Sequence, residues 1–271
     1  MKTWLTGFII FISSANIPAY VTANTQQKQT DNHDVIYWTN AAGAALISLW
    51  GAKKWDYGER SFHVENEAWF GKNTYTGGAD KLGHVYSSYV LSHVLTWWYS
   101  YHGFPADKAA IYGSLSSFGL MTYMEVGDAL SDFGFSYEDA IMNGLGSSLG
   151  YWLYTHPDLA NKLDFRVEYK TNLHEADVFT DYDKLKYLFA IKLSGFSQTR
   201  QLGLKYFDLH IGYYTRGYET RHTRKERNLY LGIGINLNEL TKRNKVTRPV
   251  SGVFNYIQIP DTYFSHDYEL E

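Results

Sequence analysis

The hydrophobic pattern changes its period near residue 160. Before that point, four segments carry long uncharged runs with small residues at helical spacing: 34–52, 80–102, 106–126 and 136–155. Each predicts a helix. Gly103-Phe104-Pro105 ends the second, Ser136 is placed to cap the fourth, and Pro157 stops it. Residues 53–76 form a polar, aromatic-rich connection long enough to carry function. After residue 160 the period is two. Phe165, Val167 and Tyr169 alternate with Arg166, Glu168 and Lys170, and similar runs start at Leu185, Phe207 and Leu229. These predict four strands with one apolar face and one polar or small face.

The fold class expected is therefore α+β, a four-helix bundle followed by a small antiparallel β-sheet. The expected boundaries are a helical domain over 34–160 and an antiparallel β region with a C-terminal tail over 161–271. The segment "VFNYIQIPDTYFSHDYELE" is too short and mixed to assign. The uncharged helical runs approach membrane-spanning length, yet they are built from Ser, Gly and Tyr rather than Leu and Ile. Gly146 and Gly150 have the spacing that lets helices approach closely. The strands suit either a half-buried sheet or a lipid-facing one. Four or five strands are too few to close a membrane barrel, so packing on the helices or on a membrane is the preferred reading over a barrel completed by oligomerisation.

The N-terminus changes the compartment. "MKTWLTGFIIFISSANIPAYVTA" has an early Lys, a short apolar stretch and small residues ending at Ala23, which predicts a signal peptide over 1–23, followed by a polar leader over 24–33. The mature chain is then exported, to the outer membrane or periplasm of a Gram-negative bacterium. Net charge is −3, so nucleic acid is not an expected partner. Aromatic residues make up 17% of the chain, with 24 Tyr, and such side chains suit boundaries between apolar and wet surroundings. The 271 residues contain no Cys, which excludes disulfides, thiolate metal sites, cysteine nucleophiles and an acylated cysteine within them.

The helical half also carries chemistry. Asp80 and His84 are four apart and share a helix face, with Lys81 beside them. Glu125 and Asp128 close the third helix, and Asp139, Asn143, Gly146 and Gly150 form one stripe on the fourth. Antiparallel neighbouring helices would bring these groups to one end of the bundle. Two readings are open. In one, the polar groups satisfy one another as a structural lock, with Lys81 pairing Glu125 or Asp128. In the other, Asp80, Lys81, His84, Glu125, Asp139 and Asn143 form a site. His84 is then the acid or base, Asp80 orients it or holds a metal, Glu125 and Asp139 are further carboxylates, and Lys81 neutralises a phosphate or carboxylate. No metalloprotease helix motif, nucleophile elbow or phosphate-binding loop is present, so the sequence names no cofactor.

The runs "SLWGAKKWDYGERSFHVENEAWF", "ADKLGHVYSSYVLSH" and "YMEVGDALSDFGFSYEDAIMNGLGSSLG" resemble an uncharacterised bacterial envelope family, that of the YfiM-type predicted lipoproteins. The likeness covers about residues 48–152 and rests on Asp80, Lys81, His84, Glu125, Asp128, Gly134, Phe135, Ser136, Asp139, Asn143 and Gly146. The family's Asp-Gly after the glutamate reads Gly127-Asp128 or Asp128-Ala129 here, and the cysteine that those lipoproteins acylate has no counterpart. A weaker likeness to VanZ-like membrane proteins implies a helical bundle in or at a membrane. Neither resemblance supplies a reaction. The expectation is an exported, membrane-associated envelope protein. Either its polar cluster acts on a lipid-linked or cell-wall substrate, or the protein is non-enzymatic and meets membrane lipid or an envelope protein partner.

Overall fold

The computed structural model describes residues 33–170, 181–219 and 223–271. The expected signal peptide, and the leader up to residue 32, lie outside the described residues. The fold is mixed α/β and divides into two compact units. The described parts of one are residues 33–69 and 84–155. Those of the other are residues 70–83, 156–170, 181–219 and 223–271.

The first unit is built from α1 (His33–Lys54), most of α2 (Ala79–Tyr101), α3 (Ala106–Asp128) and α4 (Tyr137–Thr155). The short strands β1 (Val64–Glu65) and β2 (Phe135–Ser136) pair in parallel. All four helices lie where the 3.6-residue pattern predicts them. Ser136 caps α4 as expected, its Oγ accepting from the Asp139 backbone N–H at 3.2 Å. Among the described residues no helix is long and apolar enough to cross a membrane, a question the uncharged runs left open. The reason is the helix interfaces, which are made of small and hydroxylated residues. A Cβ on Gly146 would lie 2.2 Å from the Val85 carbonyl oxygen, and one on Gly113 would lie 2.5 Å from the Thr96 nitrogen. Backbones therefore touch. Ser117 donates to the Ser88 carbonyl at 2.7 Å, and Ser92 and Ser114 share a 2.7 Å hydrogen bond. Apolar packing concentrates around Leu95, Tyr99, Phe104, Ala109 and Leu120. Elsewhere the burial is inverted: Leu115, Phe118, Leu145 and Trp152 are exposed, while Ser88, Ser92, Ser117 and Ser147 are buried.

The second unit is a sheet with small helices at its ends. After α5 (Pro157–Ala160) come β3 (Leu163–Tyr169), β4 (Leu185–Lys192), α6 (Ser197–Gln201), β5 (Phe207–Arg216), β6 (Glu226–Ile235) and α7 (Leu237–Thr241). A 3-10 turn over Arg248–Asn255 leads to β7 (Ile257–Gln258) and β8 (Tyr263–Leu270). The four alternating runs form strands as expected. Among the described residues the sheet nevertheless has six strands, ordered β7-β3-β4-β5-β6-β8, because the unassigned C-terminal segment supplies both edges. It is antiparallel except for the β3–β7 pair. The order also dictates its shape. A flat six-stranded sheet would hold its edges roughly 24 Å apart. The chain from Gln258 to Tyr263 can span at most about 18 Å. The sheet must curl, and its concave side becomes an interior.

That interior is polar, a point the period-two pattern left open. Arg166, 2% exposed, pairs with Asp164 at 2.6 Å and Asp208 at 2.8 Å and donates to Gln258 at 3.1 Å. Lys192 pairs with Asp164 at 2.5 Å, and Asn236 donates to Asp208 at 2.9 Å. Buried groups on this scale persist only when paired, and these form a closed network. Lys186 lies 4.5 Å from the centroid of the Tyr214 ring and donates to the Tyr263 hydroxyl at 3.1 Å. Burial, and then Arg166, push the His210 imidazole down to about 3, so it stays neutral. Residues 70–83 cover part of the convex, apolar side. Phe70 sits edge-on to Tyr213 at 5.5 Å, the Tyr213 hydroxyl donates to the Gly77 carbonyl, and Tyr218 donates to Lys72 O at 3.2 Å. Gly77 and Gly78 turn the chain there at φ 66° and 88°, and side chains would strike Tyr218 and Phe70. Farther round, Leu209, Ile211, Leu231, Ile233 and Phe264 are exposed.

Candidate functional site

Three helices of the first unit place a histidine between two carboxylates. His84 comes from α2, Glu125 from the last turn of α3, and Asp139 and Asn143 from the first two turns of α4. The His84 Nδ1 lies 3.1 Å from Asn143 Oδ1 and 3.4 Å from Glu125 Oε1. Its Nε2 faces Asp139 Oδ1 at 3.8 Å. Asn143 is fully buried and clamped: its Oδ1 accepts from Ser88 Oγ at 2.9 Å, and its Nδ2 donates to Glu125 Oε1 at 3.4 Å. Since Asn143 presents its oxygen to His84, the imidazole Nδ1 is the donor, and Nε2 is directed at Asp139. Gly146 makes this arrangement possible, because it lets α4 press against the α2 backbone at Val85 one turn from Asn143.

One ligand atom from each of His84, Glu125 and Asp139 lies within 4.8 Å of the others. One imidazole with two carboxylates is a donor set for a borderline or hard divalent cation such as Zn²⁺ or Mn²⁺, and the Asn143 oxygen fixes the tautomer in the way that a carboxylate or backbone carbonyl does in the outer layer of such centres. The same atoms can serve a proton-transfer centre, since His84 stands between two possible proton partners.

More acid surrounds the cluster. Burial raises Asp128 from 3.8 to about 6; hydrogen bonding from Tyr57 and the charge of His84 oppose the shift, and the charges of Glu67 and Asp139 add to it. A carboxyl poised near neutrality beside a histidine is a recurring property of reactive centres. The shift also fixes a pH dependence. Folded Asp128 binds its proton more tightly than unfolded Asp128, so its stabilising contribution is complete below about pH 3.8 and is lost as pH rises through 6. Asp128→Asn is expected to raise stability at pH 7 by on the order of 2 kcal/mol and to flatten the slope between pH 4 and 6. Urea unfolding across that range measures both.

Of the six residues expected at the site, the structure gathers His84, Glu125, Asp139 and Asn143. Asp80 and Lys81 occupy the first turn of the same helix α2, in the part that groups with the sheet unit. There Thr76 donates to Asp80, Lys81 donates to Asp80 at 3.1 Å, and Lys81 is 1% exposed. Sequence reasoning missed Ser88, although it lies four residues after His84 on one helix face. It also missed Tyr57 and Glu67, which sit in the irregular connection where no period locates a side chain. His93 and His102 are packing residues, bonded to Gly150 O at 2.9 Å and Trp98 O at 2.9 Å.

No curated protein and no solved structure matches the chain. Residues 66–155, about a third of it, are similar to a family described as predicted periplasmic lipoprotein (DUF2279), and that stretch contains Asp80, Lys81, His84, Glu125, Asp139 and Asn143.

Proposed function

We propose that this chain is an exported, membrane-associated envelope protein whose helical unit carries a divalent-cation or acid/base centre on His84, Glu125 and Asp139. Asn143 positions the imidazole, and the substrate class is lipid-linked or cell-wall material. The observation that carries the reading is the meeting of three potential ligand atoms within 4.8 Å from three separate helices. The similarity of residues 66–155 to a predicted periplasmic lipoprotein family supports the compartment. With a cation held there, a bound water or a phosphoryl or carbonyl oxygen would be polarised, and Asp128, raised to about 6, would exchange a proton with it. Lys81, at the start of the helix that carries His84, is proposed to neutralise a phosphate or carboxylate of the substrate, and Asp80 to orient the histidine or hold a metal.

A second reading has its own support. The bonds from Ser88 to Asn143 and from Asn143 to Glu125 are those of a structural lock. Purified chain dialysed against Zn²⁺ or Mn²⁺ is expected to retain about one ion per molecule, measured by elemental analysis, and His84→Ala is expected to lose it. Envelope phenotype should fall in His84→Ala and Glu125→Ala while melting stays within about 1 kcal/mol of wild type. Parallel loss of melting and phenotype, without ion binding, identifies the lock.

A further inference from the structure

The curled sheet is built inside out, and its register shows how consistently. Paired residues share a face, so the convex side can be read in rows. One row runs Leu163, Ile191, Leu209, Ile233, Phe264, and the next Phe165, Phe189, Ile211, Leu231, His266. A third runs Val167, Tyr187, Tyr213, Leu229, Tyr268. None of the three contains Asp, Glu, Lys or Arg. The intervening rows, on the concave side, hold Arg166, Asp164, Asp208, Lys192 and Glu168, all buried. A slip of one residue would swap the two faces, so the inversion is written into every strand. Residues 70–83 cover the part around Tyr213, yet Phe264 is left 89% exposed and Ile233 55%. From Phe207 to Tyr213 the apolar band is about 20 Å long, close to the apolar height of outer-membrane strands.

A second feature stands at the end of the band where β5 begins and β6 ends. Residues 200–205 and 239–248 place Arg200, Lys205, Lys242, Arg243, Lys245 and Arg248 there, against the single acid Glu239. Lys205 and Arg243 both lie 5.3 Å from the centroid of the Tyr206 ring. Between these cations Leu202 and Val246 are 74% and 83% exposed. Basic side chains interleaved with exposed apolar ones, beside an uncharged band, complement a surface with anionic headgroups over hydrocarbon. A second copy of the chain would hide the apolar rows but has no use for the basic rim.

We infer that the convex face of the sheet that the described residues leave exposed, from β5 through β6 to β8, enters the hydrocarbon of an anionic phospholipid bilayer, with the basic rim on the headgroups. This deepens the membrane-associated part of the reading above and does not depend on the cation centre. The test is flotation of the purified full chain with vesicles of phosphatidylcholine containing phosphatidylglycerol, and with phosphatidylcholine alone. Wild type is expected to float with the anionic vesicles. Ile211→Asn with Leu231→Asn is expected to reduce the partition coefficient about tenfold or more, since both side chains lose their place in hydrocarbon. Lys242→Glu with Arg243→Glu is expected to abolish the preference for anionic vesicles. Should the asparagine pair melt early, Leu231→Ala with Ile233→Ala replaces it, because truncating exposed side chains leaves the interior untouched. The inference is overturned if wild type floats with neither vesicle, or if neither pair of substitutions changes flotation. It is also overturned if light scattering shows a dimer that the asparagine pair dissociates without any vesicle binding. Zn²⁺ retention on the same preparation separates the two proposals: flotation lost with the ion retained fails only this one, and the reverse fails only the centre.

Discussion

Arg166→Ala is expected to destabilise the sheet unit by about 3–5 kcal/mol, the cost of removing one partner from a buried charge network. Its guanidinium bridges Asp164 and Asp208 and reaches Gln258 on an edge strand. Without it, Asp208 keeps Asn236, and Asp164 keeps Lys192. Two buried carboxylates would then share one ammonium and one amide. Burial already raises the Asp208 carboxyl, with Arg166 the main opposing influence, so losing the guanidinium pushes it toward protonation. Thermal unfolding should report a drop of roughly 10 °C. The double change Arg166→Met with Asp208→Leu should recover a large part of the loss, because volume is kept and the unpaired charge is gone. Recovery by the double variant separates charge pairing from packing as the cause.

Gly146→Ala is expected to cost about 3 kcal/mol, the upper end of what a single added methyl group does in a packed interior. The new Cβ would lie 2.2 Å from the Val85 carbonyl oxygen and 2.9 Å from the Ser88 Cβ. Neither neighbour is a flexible tip, so α4 must move away from α2. That movement stretches the Ser88–Asn143 bond and loosens Asn143 from His84, so cation retention should fall together with stability. Gly144→Ala is the control. Its Cβ would meet only the Phe118 ring, at 3.5 Å, and helix propensity alone should stabilise it by about 0.5–1 kcal/mol. Urea unfolding of the two variants should therefore move in opposite directions, although both replace glycine with alanine on one helix.

The sequence carried the elements well and the faces poorly. The periods of 3.6 and 2 located α1 to α4 and β3 to β6, because periodicity follows from backbone geometry whatever surrounds the element. It also forecast the convergence of His84, Glu125, Asp139 and Asn143, since antiparallel helices with short turns leave few alternatives. Period two does not say which face is inside. Leu209 and Asp208 alternate in the same way whether the leucine or the aspartate is buried, and only pairing with β3, β4 and β6 shows that the aspartate is. β7 escaped notice because two residues carry no period. β8 escaped because its outward Phe264, His266 and Tyr268 are a mixed set. Glu67 and Tyr57 lie in an aperiodic stretch, and their place near Asp128 is a tertiary fact with no local signal.

The seam made by β7 and β8 has a consequence in time. β3, the first strand of the sheet, is flanked on one side by β4, which follows it closely, and on the other by β7, so that Arg166 reaches its Gln258 partner across 92 residues. Early pairing of β3, β4, β5 and β6 can proceed by local hairpins, but the charged lining stays wet until the final segment returns to both edges. Closing so distant a contact is slow relative to hairpin formation. Residues 257–270 are thus expected to act as a clasp, with the desolvation that makes Arg166 and its partners depend on one another coming late in folding rather than first.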